Sequence, residues 1–366
     1  MSSGKNDARS TEDVVVRPLR VVAIGGGTGL STLLKGLKSY VITPGSITPS
    51  IAPNDAPAIG SLTAVVTVTD DGGSSGRLRK EFNILPPGDI RNCIVALSED
   101  EALLSKLFQY RFTQGAGLEG HSFGNLFVTA LTAVTGDFAR AVELSSAILA
   151  TRGQIVPSTT SNVQLVAQMN DGSEVAGETN ITASKQRIVE LRMVPKDAQP
   201  LPQTLEAIAH ADLITIGPGS LFTSLIPNLL VHGVVDAIAK SPALKVFVCN
   251  LMTQANESLD LTAADHVLAI YMHTGAKRLF DVAVVNDRPA SDAVRAKYAE
   301  EGQTPIELDE SGFRELGLRV VTGDFLALEN DGVARHATGR LAKMLLALGA
   351  EHVASRESLA TPTATL

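Results

Sequence analysis

The segment Val21–Leu37, VVAIGGGTGLSTLLKGL, limits what this chain can become more than any other. An apolar, β-branched run enters a turn holding Gly25, Gly26, Gly27 and Gly29. Leu30, Leu33, Leu34 and Leu37 follow at the spacing of one helical face. A helix start leaves N–H groups unpaired and carries a partial positive charge, here beside bare glycine backbone. Such a place binds anions, phosphate above all. The alternative is a tight turn used only for packing. The segment predicts a phosphorylated small molecule, a nucleotide, held at Gly25, Gly26, Gly27, Thr28 and Gly29.

The turn departs from two standard fingerprints. Counting from Gly25 and Gly27, the third glycine of GxGxxG falls on Leu30. Gly29 is followed by Leu30 and Ser31 rather than by the Lys-Ser/Thr of a P-loop. An NAD-dependent dehydrogenase is disfavoured on the first count.

Further strand candidates are Leu62–Thr69, Ala211–Ile216, Lys245–Cys249 and Val282–Val285, besides Leu19–Ile24. Runs such as LTAVVTVT and LKVFVC lack polar alternation, which suits strands buried on both faces of a mostly parallel, helix-covered sheet. The expectation is an α/β, doubly wound fold. Residues 1–18 read as a loose polar tail, 19–350 as one α/β domain with a helical insert at about 93–150, and 351–366 as a flexible tail. Residues 155–194 suggest a small β-excursion, and Thr43–Gly60 a Pro/Gly/Ser-rich surface loop.

Net charge −8, no Trp and four Tyr argue against a nucleic-acid partner. Cys93 and Cys249 lack metal or disulfide spacing and read as small buried hydrophobes. Without an apolar leader or a membrane-length apolar run, the sequence reads as cytoplasmic with no membrane span.

Four other segments carry chemistry. TVTDDGGSSGRL puts Asp70 and Asp71 at a strand's carboxyl end, where acids bind ribose, hold Mg²⁺ opposite phosphates, or simply make an Asp-Gly turn. In LPPGDIRN, Asp89 reads as a helix N-cap and Arg91 as a phosphate donor. GHSFGN sets His121 and Asn125 one helical turn apart. His121 is a candidate ligand donor or general base, or a structural histidine. GPGSLFTSLIPN offers Gly217, Gly219, Ser220, Thr223 and Ser224 as a second anion turn, with Pro227 in the first turn of the next helix. Asn250 lies at the same expected sheet edge.

In this order GGGTGLSTLL, TVTDDGGSSGRLR, LPPGDIRN, GHSFGN, GPGSLFTSLIPNLL and NLMTQ resemble the YvcK family of gluconeogenesis factors, over roughly residues 19–345. That family shares a superfamily with CofD, the 2-phospho-L-lactate transferase. The resemblance implies a Rossmann-like three-layer α/β/α domain and a cytoplasmic, UDP-sugar-binding regulatory protein, homodimeric and required for cell shape and wall growth on gluconeogenic carbon sources. Cell-wall synthesis proteins are the implied partners. The alternative it implies is a Mg²⁺-dependent phospholactyl transferase acting on a deazaflavin, with Asp70, Asp71 and His121 as catalytic candidates. The run SSGRLRKEFNILPPGDIRN after the paired acids differs from the acceptor-binding segments of CofD and favours the first branch.

Overall fold

The computed structural model describes residues 17–42, 57–99, 102–276, 278–329 and 332–360. Seven strands build the main sheet: β1 (Leu19–Gly25), β2 (Ile59–Val66), β3 (Gln154–Pro157), β4 (Leu213–Ile216), β5 (Leu244–Val248), β6 (Val282–Asn286) and β7 (Arg319–Gly323). Their spatial order is β7-β6-β5-β4-β1-β2-β3, and every neighbouring pair is parallel. The fold is the Rossmann-like α/β arrangement expected. All four residues of β4 and six of the seven in β1 are buried, which explains their unbroken apolar runs.

Chain order reverses between β1 and β4: β2 and β3 extend one way, β4 to β7 the other. Ile24 pairs with Ile216, so both glycine turns leave the same edge side by side. In open α/β sheets this crevice is where ligands bind. Helix α1 (Gly27–Lys38) buries Leu30, Leu33, Leu34 and Leu37 and leaves Thr28 and Lys35 exposed or half-buried, as the heptad-like spacing requires.

Between β2 and β3 run the helices Gly73–Phe82, Gly88–Leu97, Ala102–Gln109, Phe123–Thr135 and Phe138–Ile148. The expected β-excursion takes the form of an antiparallel sheet of Gln164–Met169, Glu174–Ala176 and Ile188–Val194. Its first expected residues belong instead to β3 of the main sheet. The helix Thr338–Ala360 runs through 351–360, so that stretch, read as flexible tail, is helical to Ala360. It is anchored by Leu341, Leu345, Leu346 and Val353, all buried. Ile59 and Gly60, read as loop, open β2, because Ile59 pairs with Leu19 and is fully buried. The rest of the Thr43–Gly60 loop (43–56), the first sixteen residues and 361–366 lie outside the described residues. Cys93 and Cys249 are both free and buried.

Candidate functional site

The two glycine turns meet in a cleft of about 310 Å³, within the range of small-molecule sites. Its walls include Gly26, Gly27, Thr28, Gly29, Gly219, Ser220, Ser224 and Asn250 of the expected set. The turns touch backbone to backbone. A Cβ on Gly29 would sit 2.4 Å from the Pro218 carbonyl oxygen, so no larger residue fits there. Helix α1 begins at Gly26 with extended backbone, no side-chain cap and no acid in its first turn. Asp89, from another helix, accepts the Gly27 N–H, so the N-terminal field of α1 is shared between that carboxyl and the cleft.

Side chains fix the second turn. The Gly219 N–H donates to Asn250 Oδ1 at 2.9 Å, and Asn250 Nδ2 donates to the Gly219 carbonyl at 2.8 Å. Asn228 Nδ2 donates to the carbonyls of Gly25 at 3.0 Å and Ser224 at 2.7 Å, tying the two turns together. Gln254 Nε2 donates to Ser220 Oγ at 2.8 Å, while its Oε1 is buried without a partner at the cleft wall. Pro227 lies in the first turn of Ile226–Leu230, as expected. Gly25 and Gly217 end their strands behind the lining. Thr223 is turned inward, its hydroxyl donating to Glu257 Oε1 at 2.8 Å.

The other predicted residues stand outside this cleft lining, and the structure corrects three readings. Asp70 and Asp71 do not present a joint metal face. Asp71 Oδ1 accepts from both the N–H and the hydroxyl of Thr179, whereas Asp70 Oδ1 closes a turn on the Gly72 N–H. Among the described residues no three His, Cys, Asp or Glu side chains cluster as metal ligands. Asp89 is not the N-cap of Gly88–Leu97; Pro87 is, because the chain turns into the helix two residues earlier. Asp89 instead accepts the Gly27 N–H, and its Oδ2 lies 2.7 Å from where a Gly26 Cβ would be. His121 precedes its helix, which Ser122 caps, so His121 and Asn125 are not one helical turn apart. They converge all the same, with His121 Nδ1 2.9 Å from Ser74 Oγ and Asn125 Nδ2 donating to that oxygen at 3.2 Å.

Behind the first turn lies an acidic wing. Burial raises Asp89 to about 7, reinforced by Asp70 and opposed by the Gly27 N–H and Arg91. Burial also raises Glu178 well above the usual carboxylate range, with Asp70, Asp89, Glu257 and Asp71 adding to the shift. Glu257 is raised by burial against its bonds to Thr223 and the Phe222 N–H.

Sequence reasoning missed Arg335, His336, Glu257 and Glu178. Arg335 contributes the one guanidinium among the residues lining the cleft, 3.6 Å from Glu329. His336 meets the Cys249 carbonyl at 3.1 Å, and burial lowers it to about 4, so its ring is neutral. No motif surrounds these residues; only the antiparallel pair Leu326–Leu328 and Ala334–His336 brings 335 and 336 to the edge.

Sheet order and paired glycine turns at the switch point define a doubly wound α/β protein with a glycine-lined cleft. The model of the family "2-phospho-L-lactate transferase CofD" matches residues 21–326. Within that wider group the chain belongs to the gluconeogenesis factor family. It is 47% identical over 326 residues to the gluconeogenesis factor of Halalkalibacterium halodurans, covering 89% of this chain and 95% of that protein. With the gluconeogenesis factor of Bacillus subtilis it shares 44% over 329 residues, covering 90% and 98%. The crystal structure of protein BH3568 from Bacillus halodurans superposes with a TM-score of 0.83 at 46% identity, covering 90% of this chain and all of that one.

Proposed function

We propose that the cleft binds a nucleoside diphosphate sugar, a UDP-sugar in the first instance, and that the protein acts as a cytoplasmic regulatory factor rather than through turnover. One observation carries the reading: two glycine turns, the α1 N-terminus, which has no cap of its own, and Arg335 line one cleft. A diphosphate supplies the paired anions such a constellation takes. The orphan Oε1 of Gln254 then stands at the cleft wall, where a ribose hydroxyl or a base N–H finds an acceptor.

Isothermal titration with UDP-N-acetylglucosamine tests it, with GDP and NAD as competitors. Saturable binding that a Gly27→Asp variant loses is expected; no binding by the intact chain would sink the idea. Roles in cell shape and wall growth, the homodimer and cell-wall synthesis partners rest on the resemblance. Complementation of a deletion strain on a gluconeogenic carbon source addresses them.

A second reading is a phospholactyl transferase. The matched family model and the carboxylates Asp70, Asp89 and Glu178 beside the first turn favour it. Incubation with deazaflavin, guanylylated donor and Mg²⁺ decides between the two, since absence of GMP release removes this reading.

A further inference from the structure

The GHSFGN segment is not absorbed by the cleft, yet it is the hub of a constructed polar centre. Arg91 leaves the helix Gly88–Leu97 and passes so close to Gly124 that a Cβ there would lie 2.7 Å from Arg91 Cγ. Its Nε is buried and unbonded, and none of its nitrogens comes within 4 Å of a carboxylate oxygen among the described residues. Asn125 is 3% exposed, and its Oδ1 is also buried without a partner. Reversing the amide leaves the nitrogen unmet instead, so the orphan survives either assignment. Arg111 donates to the Gly120 carbonyl at 2.6 Å and Arg77 to that of Glu119 at 2.7 Å, which holds two more guanidinia beside the same segment.

We propose that this centre is a second ligand site, in which Arg91, supported by Arg111, takes an oxyanion of a small molecule whose hydroxyl donates to Asn125. None of these residues lines the glycine-turn cleft, and the site goes beyond the nucleotide reading. Buried polar groups are nearly always bonded, so two orphans of opposite character on segments packed together at Gly124 mark a place meant for a partner. Arg91 Nε can only donate and Asn125 Oδ1 can only accept. The missing partner therefore carries an acceptor and a donor together, as a hydroxylated carboxylate or a phosphate monoester does.

Charge agrees with this assignment. Arg111 and burial both lower the proton affinity of Arg91, and an incoming anion reverses both penalties. Asp70 and Asp89 face Arg91 from the side of the first glycine turn without pairing with it. Burial and Arg77 lower His121, which keeps its ring neutral beneath the guanidinia. A guanidinium held this way gives planar, bidentate recognition of carboxylate or phosphate. Occupancy would also be felt at the cleft, because Asp89 on the same helix holds the Gly27 N–H.

Titration calorimetry on the full chain tests the proposal, with inorganic phosphate in one arm and citrate in the other. Wild type, Arg91→Gln and Arg319→Gln, the last an exposed guanidinium on edge strand β7, are compared. Saturable binding of at least one probe is expected, weakened tenfold or more by Arg91→Gln and less than twofold by Arg319→Gln. The arm that binds identifies the oxyanion. The proposal is overturned if neither probe saturates, if Arg91→Gln matches wild type, or if Arg319→Gln loses as much. Should Arg91→Gln fail to fold, Arg111→Gln, at an exposed side chain, is read instead: threefold or greater weakening is expected, and unchanged affinity overturns the idea. Titration with UDP-N-acetylglucosamine reports separately on the glycine-turn cleft.

Discussion

Asp89→Asn offers the most direct probe of how the first glycine turn is held. The carboxyl is buried, accepts the Gly27 N–H and is raised from 3.8 to about 7. A raised acid binds its proton more tightly in the folded state, so stability falls as pH rises through the interval between those values. Below about 4 the group is protonated in both states and contributes nothing to the slope; above 7 the whole penalty is present. Holding a carboxyl at 7 against 3.8 makes its ionised form about 4 kcal/mol less favourable, an upper figure for a site that can relax. The asparagine keeps an acceptor for Gly27 and removes the charge. The variant should therefore be more stable than wild type at pH 8 by ~2–4 kcal/mol, and by no more than ~1 kcal/mol at pH 4.5. Urea unfolding followed by circular dichroism at the two pH values measures the difference directly. Glu178 is raised in part by the Asp89 charge, so the wild-type-minus-variant difference reports Asp89 together with its coupling to Glu178. An equal gap at both pH values would refute the reasoning, because a charge-independent effect leaves no pH slope.

Other outcomes follow from the same geometry. Gly29→Ala sets a Cβ against the Pro218 carbonyl, and should cost about 1–3 kcal/mol in unfolding while abolishing nucleotide binding. Glu257→Ala leaves Thr223 Oγ1 and the Phe222 N–H without their acceptor, a loss of roughly 1–3 kcal/mol readable by thermal melting. Leu34→Ala empties a fully buried position of α1 and should lower stability by about 2–5 kcal/mol in urea without changing the ligand specificity of the remaining folded protein. Arg335→Ala removes the guanidinium facing the cleft and should weaken UDP-sugar binding by about 1.5–3 kcal/mol in titration calorimetry, with a smaller effect at high salt.

The centre of the sheet was readable from residue pattern because its strands are covered on both faces. Leu19–Ile24, Ala211–Ile216 and Val282–Val285 each overlap an observed strand closely. The two edge strands escaped for the complementary reason. β3 has only four residues, begins at an exposed Gln154 and ends at Pro157, while β7 is half-exposed along its length. Neither needs a continuous apolar run. The glycine turns were legible because close backbone approach admits little else. Arg335, Glu257 and Glu178 were not, since each is a lone polar residue whose role exists only once distant segments pack. Asp89 was misread for a related reason: the local rule for an N-cap is sound, but a contact across the fold with Gly27 took the side chain.

The parallel pairing of β1 with β4 has a consequence for how the protein comes into being. Val21 meets Leu213, and the wall of the cleft is finished only by residues near 335. The first strand synthesised is thus the middle of the finished sheet, and it waits for most of the chain before its second neighbour arrives. Such remote pairing slows folding and leaves an apolar strand edge open meanwhile. A nascent or truncated chain lacking the last hairpin has both glycine turns but not Arg335 and His336, so the wall of its cleft is unfinished.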